Sequence, residues 1–159
     1  MRNYLLLPIC TLAISTAPLA HAQLSADEKT FVENVAKGGM EEVQIARMAI
    51  DRVSDPKVKI LAQRLIDDHT KVSMQLTDLA KQKGVTLPSE VTAGSDKLAK
   101  KNGKNFDKAF LDIMESKHEK SIKKFEKQVK SGTDADLKKW AETTLPTLQG
   151  HLLQIEGLE

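Results

Sequence analysis

The sequence predicts an all-α fold, a four-helix bundle, on three observations. Apolar residues recur at three- and four-residue spacing through four long stretches, the periodicity of an amphipathic helix. No region alternates polar and apolar residues over a comparable length. Aromatic residues make up only 4% of the 159-residue chain, too few for the strands of a β-sandwich or barrel. Charged residues are 29% and the hydrophobic set 40%, which excludes both a polar disordered chain and an integral membrane protein.

Residues 1–22 read as an address rather than as part of the fold. Arg2 is a short positive region, the uncharged stretch Tyr4–Ala20 follows, and Ala20-His21-Ala22 is a small-x-small cleavage site. Pro8 and Pro18 argue against a membrane-spanning helix. Pro8-Ile9 is a poor lead-in to lipidation at Cys10. Cleavage between Ala22 and Gln23 yields a periplasmic or secreted chain, residues 23–159, expected to form a single four-helix domain. The one Cys leaves with the signal, so the mature chain cannot use a disulfide and must be held by its core.

The first helix opens at Ser25 with Glu28 three residues on, a capping box. Its stripe is Phe31, Val35, Ile45, Ala49 and Val53. Ser54-Asp55-Pro56 breaks it, with Asp55 able to cap and Pro56 at the first position of the next helix, where no N–H is needed. The second helix carries Val58, Leu61, Leu65, Val72, Leu76 and Leu79 and ends at Gly84. Residues 85–104 lack sustained periodicity and read as a linker. At roughly 30 Å when partly extended, it is long enough to run the length of the bundle as a crossover. The third helix begins near Asn105 and carries Phe106, Phe110, Met114, Ile122, Phe125 and Val129. Ser131-Gly132-Thr133-Asp134 is a break and cap. The fourth carries Leu137, Ala141, Leu148, Leu152 and Ile155, with a kink expected at Pro146.

The informative residues interrupt the stripes. Glu42 falls on the inner face of the first helix, His69 on the second, His118 on the third and His151 on the fourth. At about 1.5 Å of rise per residue the four lie at similar depth in a crossover bundle. Two readings follow. The preferred one is a hydrogen-bonded polar network, since buried His and Glu need partners. The other is a mononuclear site for a single transition-metal ion such as Zn, Fe or Cu, which imidazole and carboxylate ligands suit. Met114, one turn from His118, adds a soft ligand type that favours Cu(I), although Met is a common core filler. Glu115-x-x-His118 is a single Glu-x-x-His pair. A di-iron centre needs two, and Ile66 and Leu148 occupy the matching positions before His69 and His151. Asp68 is about 100° from His69 on the helix and is expected to meet solvent or a lysine.

No nucleophile–base pair, Gly-rich phosphate loop or paired catalytic acids stand out, which points away from an enzyme. Lys+Arg is 24 against 22 Asp+Glu, which gives no basis for nucleic-acid binding. From Lys97 to Lys130 there are eleven Lys against five acidic residues, a face that permits weak contact with an anionic membrane surface.

Asp67-Asp68-His69, Phe106-Asp107, Glu115-x-x-His118, and Thr144-Leu145-Pro146 followed by His151-Leu152 resemble the exported bacterial family catalogued as domain of unknown function 4142. The resemblance covers nearly all of the mature chain. It implies a ferritin-like bundle and export, marks Glu42, His69, Glu115, His118 and His151 as candidate metal ligands, and supplies no reaction. The leading expectation is a non-enzymatic binding or envelope-stress protein. The alternatives are a metal-binding or metal-dependent redox protein and a module that binds anionic surfaces through the third helix.

Overall fold

The structure is a computed structural model that describes residues 23–92, 94 and 96–158. The expected signal segment 1–22 lies outside the described residues. The elements are α1 (Ala26–Ile50), α2 (Pro56–Gln82), the short α3 (Asp96–Ala99), α4 (Gly103–Ser131) and α5 (Ala135–Glu156). The four long helices are those predicted, and no strand occurs among the described residues.

Local chemistry sets the ends. The Ser25–Glu28 capping box forms as expected, with the Glu28 N–H donating to Ser25 Oγ at 3.3 Å and the Ser25 N–H to Glu28 Oε2 at 3.0 Å. Asp55 accepts from the Lys57 N–H at 2.7 Å ahead of Pro56. At the end of α2, Gly84 adopts φ 66°, and the Val85 N–H reaches back to the Ala80 carbonyl at 2.9 Å. A residue with a Cβ adopts that left-handed conformation only at a cost. Asp134 caps α5 through the Leu137 N–H at 2.9 Å. α5 runs on through Pro146 as one helix. Thr144 donates its hydroxyl to the Trp140 carbonyl at 2.8 Å in the turn before the proline.

α1 packs mainly on α2 and α4 on α5, while α1 also meets α4 and α2 meets α5. The connection between the two hairpins is a crossover. Asp107, near the start of α4, bonds Ser54 and Asp55 at the start of α2. Lys83, at the end of α2, pairs with Asp134 at the start of α5, at 2.7 Å. α2 and α4 are therefore parallel, and residues 83–102 return along the bundle. This segment is not the featureless linker the periodicity implied. It contains α3, whose Leu98 is fully buried against Phe106 and Phe110. Arg52 fixes it by donating to the carbonyls of Leu98, Ala99 and Lys101 at 3.2, 3.2 and 2.8 Å. A four-residue helix is too short to leave a periodic signal.

The core forms two apolar blocks. One holds Ile45, Leu61, Leu65, Leu98, Phe106, Phe110, Met114 and Ile155. The other holds Phe31, Val32, Leu76, Phe125, Leu137, Trp140 and Leu148. In the second, Phe31 meets Phe125 edge-on at 5.2 Å and Phe125 lies 5.4 Å from Trp140. Each buried Leu or Phe contributes roughly 1.5–3 kcal/mol, so the blocks hold the bundle together. Between them, in sequence order on every long helix, stand Glu42, His69, His118 and His151.

Candidate metal centre

The structure brings these four side chains into one buried layer. His118 and His151 are fully buried, and Glu42 and His69 nearly so. His69 Nε2 lies 3.3 Å from His118 Nε2, and His118 Nε2 lies 3.2 Å from His151 Nδ1. One nitrogen from each of the three rings falls within 4.8 Å of the other two. Glu42 Oε2 sits against the group, 2.9 Å from His69 Nε2 and 3.9 Å from His118 Nε2. It receives no aligned hydrogen bond. Glu115 is half-buried on α4 and is not part of this cluster.

The outer ring nitrogens are occupied in a way that fixes the inner ones. His118 Nδ1 is 2.9 Å from the Met114 carbonyl, which can only accept, so Nδ1 carries the hydrogen. His151 Nε2 is 2.8 Å from Asp68 Oδ2. Burial pushes Asp68 up, but the hydrogen bond from His151 and the Arg64 guanidinium outweigh it and hold the carboxyl below its usual range. Asp68 therefore accepts, and His151 Nε2 carries the hydrogen. Both rings are kept neutral. Burial lowers His118 despite the opposing Glu42 charge. Burial lowers His151 to about 4 despite the Asp68 hydrogen bond. Two bare nitrogens consequently face each other at 3.2 Å.

Glu42 is in the opposite condition. Burial raises its carboxyl, but the His69 ring in contact with it and the Lys117 charge outweigh that and keep it below its usual range. Lys117 itself pairs with Glu41 at 2.7 Å on the rim of the layer. The layer thus holds an ionised carboxylate beside ring nitrogens whose lone pairs converge.

Asp68 is the member that sequence reasoning missed. At 100° from His69 it is only partly exposed and turns to α5. In a bundle each helix has two neighbours, so a residue off the inner stripe of α2 faces adjacent α5 and there meets His151. Arg64, one turn back, lies 3.4 Å from Asp68 and donates to Gln154 of α5 at 2.8 Å. The methionine expectation is also corrected. Met114 approaches His118 through its backbone carbonyl, and its side chain belongs to an apolar block.

Fold and site together define the class, an all-α four-helix bundle with a crossover and a buried histidine layer. The chain belongs to the family described as domain of unknown function (DUF4142), whose family model matches residues 13–158. No curated protein matches it. Similar solved structures include a DUF305 fragment from Deinococcus radiodurans, with a TM-score of 0.77 and 13% identity over 86% of this chain and 97% of that one. A Streptomyces coelicolor DUF305 protein, described as secreted, has a TM-score of 0.72 and 16% identity over 84% and 93%. CopM in its Cu(I)-bound form has a TM-score of 0.71 and 19% identity over 82% and 94%. At these identities the likeness is one of fold.

Proposed function

We propose that the protein binds one transition-metal ion in the mid-bundle layer, through His69, His118 and His151 with Glu42 as the fourth donor. The observation that carries this reading is the 3.2 Å contact between His118 Nε2 and His151 Nδ1, two rings whose opposite nitrogens already donate to Met114 and Asp68. A hydrogen-bonded network needs a hydrogen between neighbouring acceptors, and here the outer partners have taken it. A cation resolves the contact. Donor atoms about a tetrahedral ion with bonds of about 2.0–2.1 Å lie about 3.3–3.4 Å apart, close to the separations of 3.2 and 3.3 Å.

Two further features support it. Metal-binding histidines commonly donate their other N–H to a carbonyl or carboxylate, as His118 does to Met114 and His151 to Asp68. The charges of Glu42 and Asp68 together balance a divalent ion, so a loaded site carries no net charge into the core. Nitrogen and oxygen donors without a thioether favour Zn²⁺ or Cu²⁺ over Cu(I). The metal reading thus overtakes the plain polar network.

The protein acts in this reading as a metal-binding protein of the cell envelope. Export rests on Arg2, the apolar run and Ala20-His21-Ala22, and the S. coelicolor neighbour is itself described as secreted. Isothermal titration of chelator-treated protein tests the site. One equivalent of Zn²⁺ or Cu²⁺ per chain, lost in His69→Ala/His118→Ala, is expected. A wild type that takes up none would overturn the proposal.

A further inference from the structure

A small cavity of about 20 Å³ adjoins the histidine layer on the side of the aromatic block. Glu42 and His69 form one wall, and Gly39, Ser73 and Ser121 contribute to the others. A water molecule needs at least roughly 10–15 Å³ of such space and two to four polar partners. Both conditions are met here.

The hydroxyls in that wall are unusual for this bundle. Thr70, Thr77 and Thr144 each donate to the carbonyl one turn back, at 2.6, 2.8 and 2.8 Å. Among the described residues, the Ser73 and Ser121 hydroxyls make no such bond. Ser73 Oγ turns towards Gly39 in the cavity wall, and Ser121 lines the same cavity. Gly39 keeps the wall open. A Cβ there would come within 3.4 Å of Ser73 Oγ and take up part of the space. Glu42, 3% exposed and with Oε2 lacking an aligned donor, supplies an acceptor on the same wall.

We propose that this cavity is a ligand-exchange position of the metal centre. It admits one exogenous ligand of one to three atoms, water at rest, and holds it with the Ser73 and Ser121 hydroxyls, Glu42 accepting from the resting water. This inference rests on the proposed metal site. It adds that the site is open to small ligands on one side rather than closed by protein donors alone. Val35, Val72, Leu76, Phe125 and Leu148 complete the lining and exclude anything larger.

The test loads chelator-treated protein with one equivalent of Cu²⁺ and titrates azide, reading the azide-to-copper charge-transfer band. A saturable band is expected in the wild type. Gly39→Val and Ser73→Val both fill the cavity without touching a ring nitrogen. Each is expected to keep its copper and to bind azide about tenfold more weakly, the scale of one lost hydrogen bond. Far-UV circular dichroism checks that each folds, and Ser73→Val alone carries the test if the valine in α1 disrupts that helix. Copper uptake with no azide band in the wild type overturns the exchange position and leaves the metal site standing. Equal azide affinity in wild type and variants overturns its location. Failure of the wild type to take up copper overturns both.

Discussion

Glu28 and Glu42 are two glutamates of the same helix, each 3% exposed, in opposite electrostatic conditions. Glu28 receives the Ser25 N–H and hydroxyl, the Thr133 N–H at 2.7 Å, the Thr133 hydroxyl and the Asp134 N–H at 2.8 Å. It closes the α4–α5 turn from α1. Gly132 in that turn has no room for a Cβ, which would meet the Gln128 carbonyl at 2.5 Å. Asp107 does the same at the other end, taking the N–H groups of Ser54 and Asp55 at 2.8 and 2.9 Å. Glu42 has no N–H cradle and lies against imidazoles, two of which are held neutral. Solvent exposure is equal for the two glutamates, so exposure alone does not tell structure from function. The donors do. A carboxylate surrounded by N–H groups is finished, while one set beside bare ring nitrogens is open to a cation.

The largest effect should come at the finished site. Glu28→Ala strands the Thr133 and Asp134 N–H groups and part of the helix cap, and is expected to cost about 3 kcal/mol in urea unfolding. That cost should be the same with and without metal. A loss below ~1 kcal/mol would contradict the clamp.

Acid sharpens the contrast. Burial pushes Glu28 up, yet the Asp134 N–H, the Ser25 hydroxyl and N–H and the Thr133 N–H bring it from 4.5 down to about 2. The unfolded chain therefore takes up this proton first as pH falls. The stabilisation is complete above pH 4.5 and is lost as pH falls towards 2, in all about 2 kcal/mol after allowing for screening. Glu28→Gln should lack that portion of the slope between pH 4.5 and 2. Parallel pH–stability curves for the two proteins would refute the assignment.

The smallest effect on apo stability is expected at Glu42. Glu42→Gln removes a buried charge that has no aligned donor, so without metal it should change stability by less than about 1 kcal/mol in either direction. Metal affinity should nevertheless fall by at least about tenfold. A large apo destabilisation with unchanged metal affinity would make Glu42 a second Glu28.

The inward stripes were legible because period and burial coincide on long helices. Phe31, Leu65, Phe110 and Leu148 are buried, and the polar interruptions at Glu42, His69, His118 and His151 fell in one layer. The linker was long enough for a crossover, but its length did not decide between a crossover and a simple up-down path; the Asp107–Ser54 and Lys83–Asp134 contacts do. What the sequence left out depends on neighbours. Glu28 reads as half of a local capping box, and its hold on Thr133 and Asp134 exists only once α1 lies beside the α4–α5 turn. Asp68 reads as exposed until α5 stands next to α2. The direction of each imidazole, which decides between network and metal site, follows from the Met114 carbonyl and from Asp68, and spacing carries no information about it.

The central claim is that the histidine layer is a metal site and not a satisfied network. Its most direct test is urea unfolding of the wild type, His69→Ala, His118→Ala and His151→Ala, with and without excess Zn²⁺. At about 100 times the dissociation constant the wild type should gain about 2.7 kcal/mol, and each variant should lose most of that gain. Glu28→Ala should keep it in full. A wild type that gains nothing, or histidine variants that gain as much as the wild type, would contradict the account.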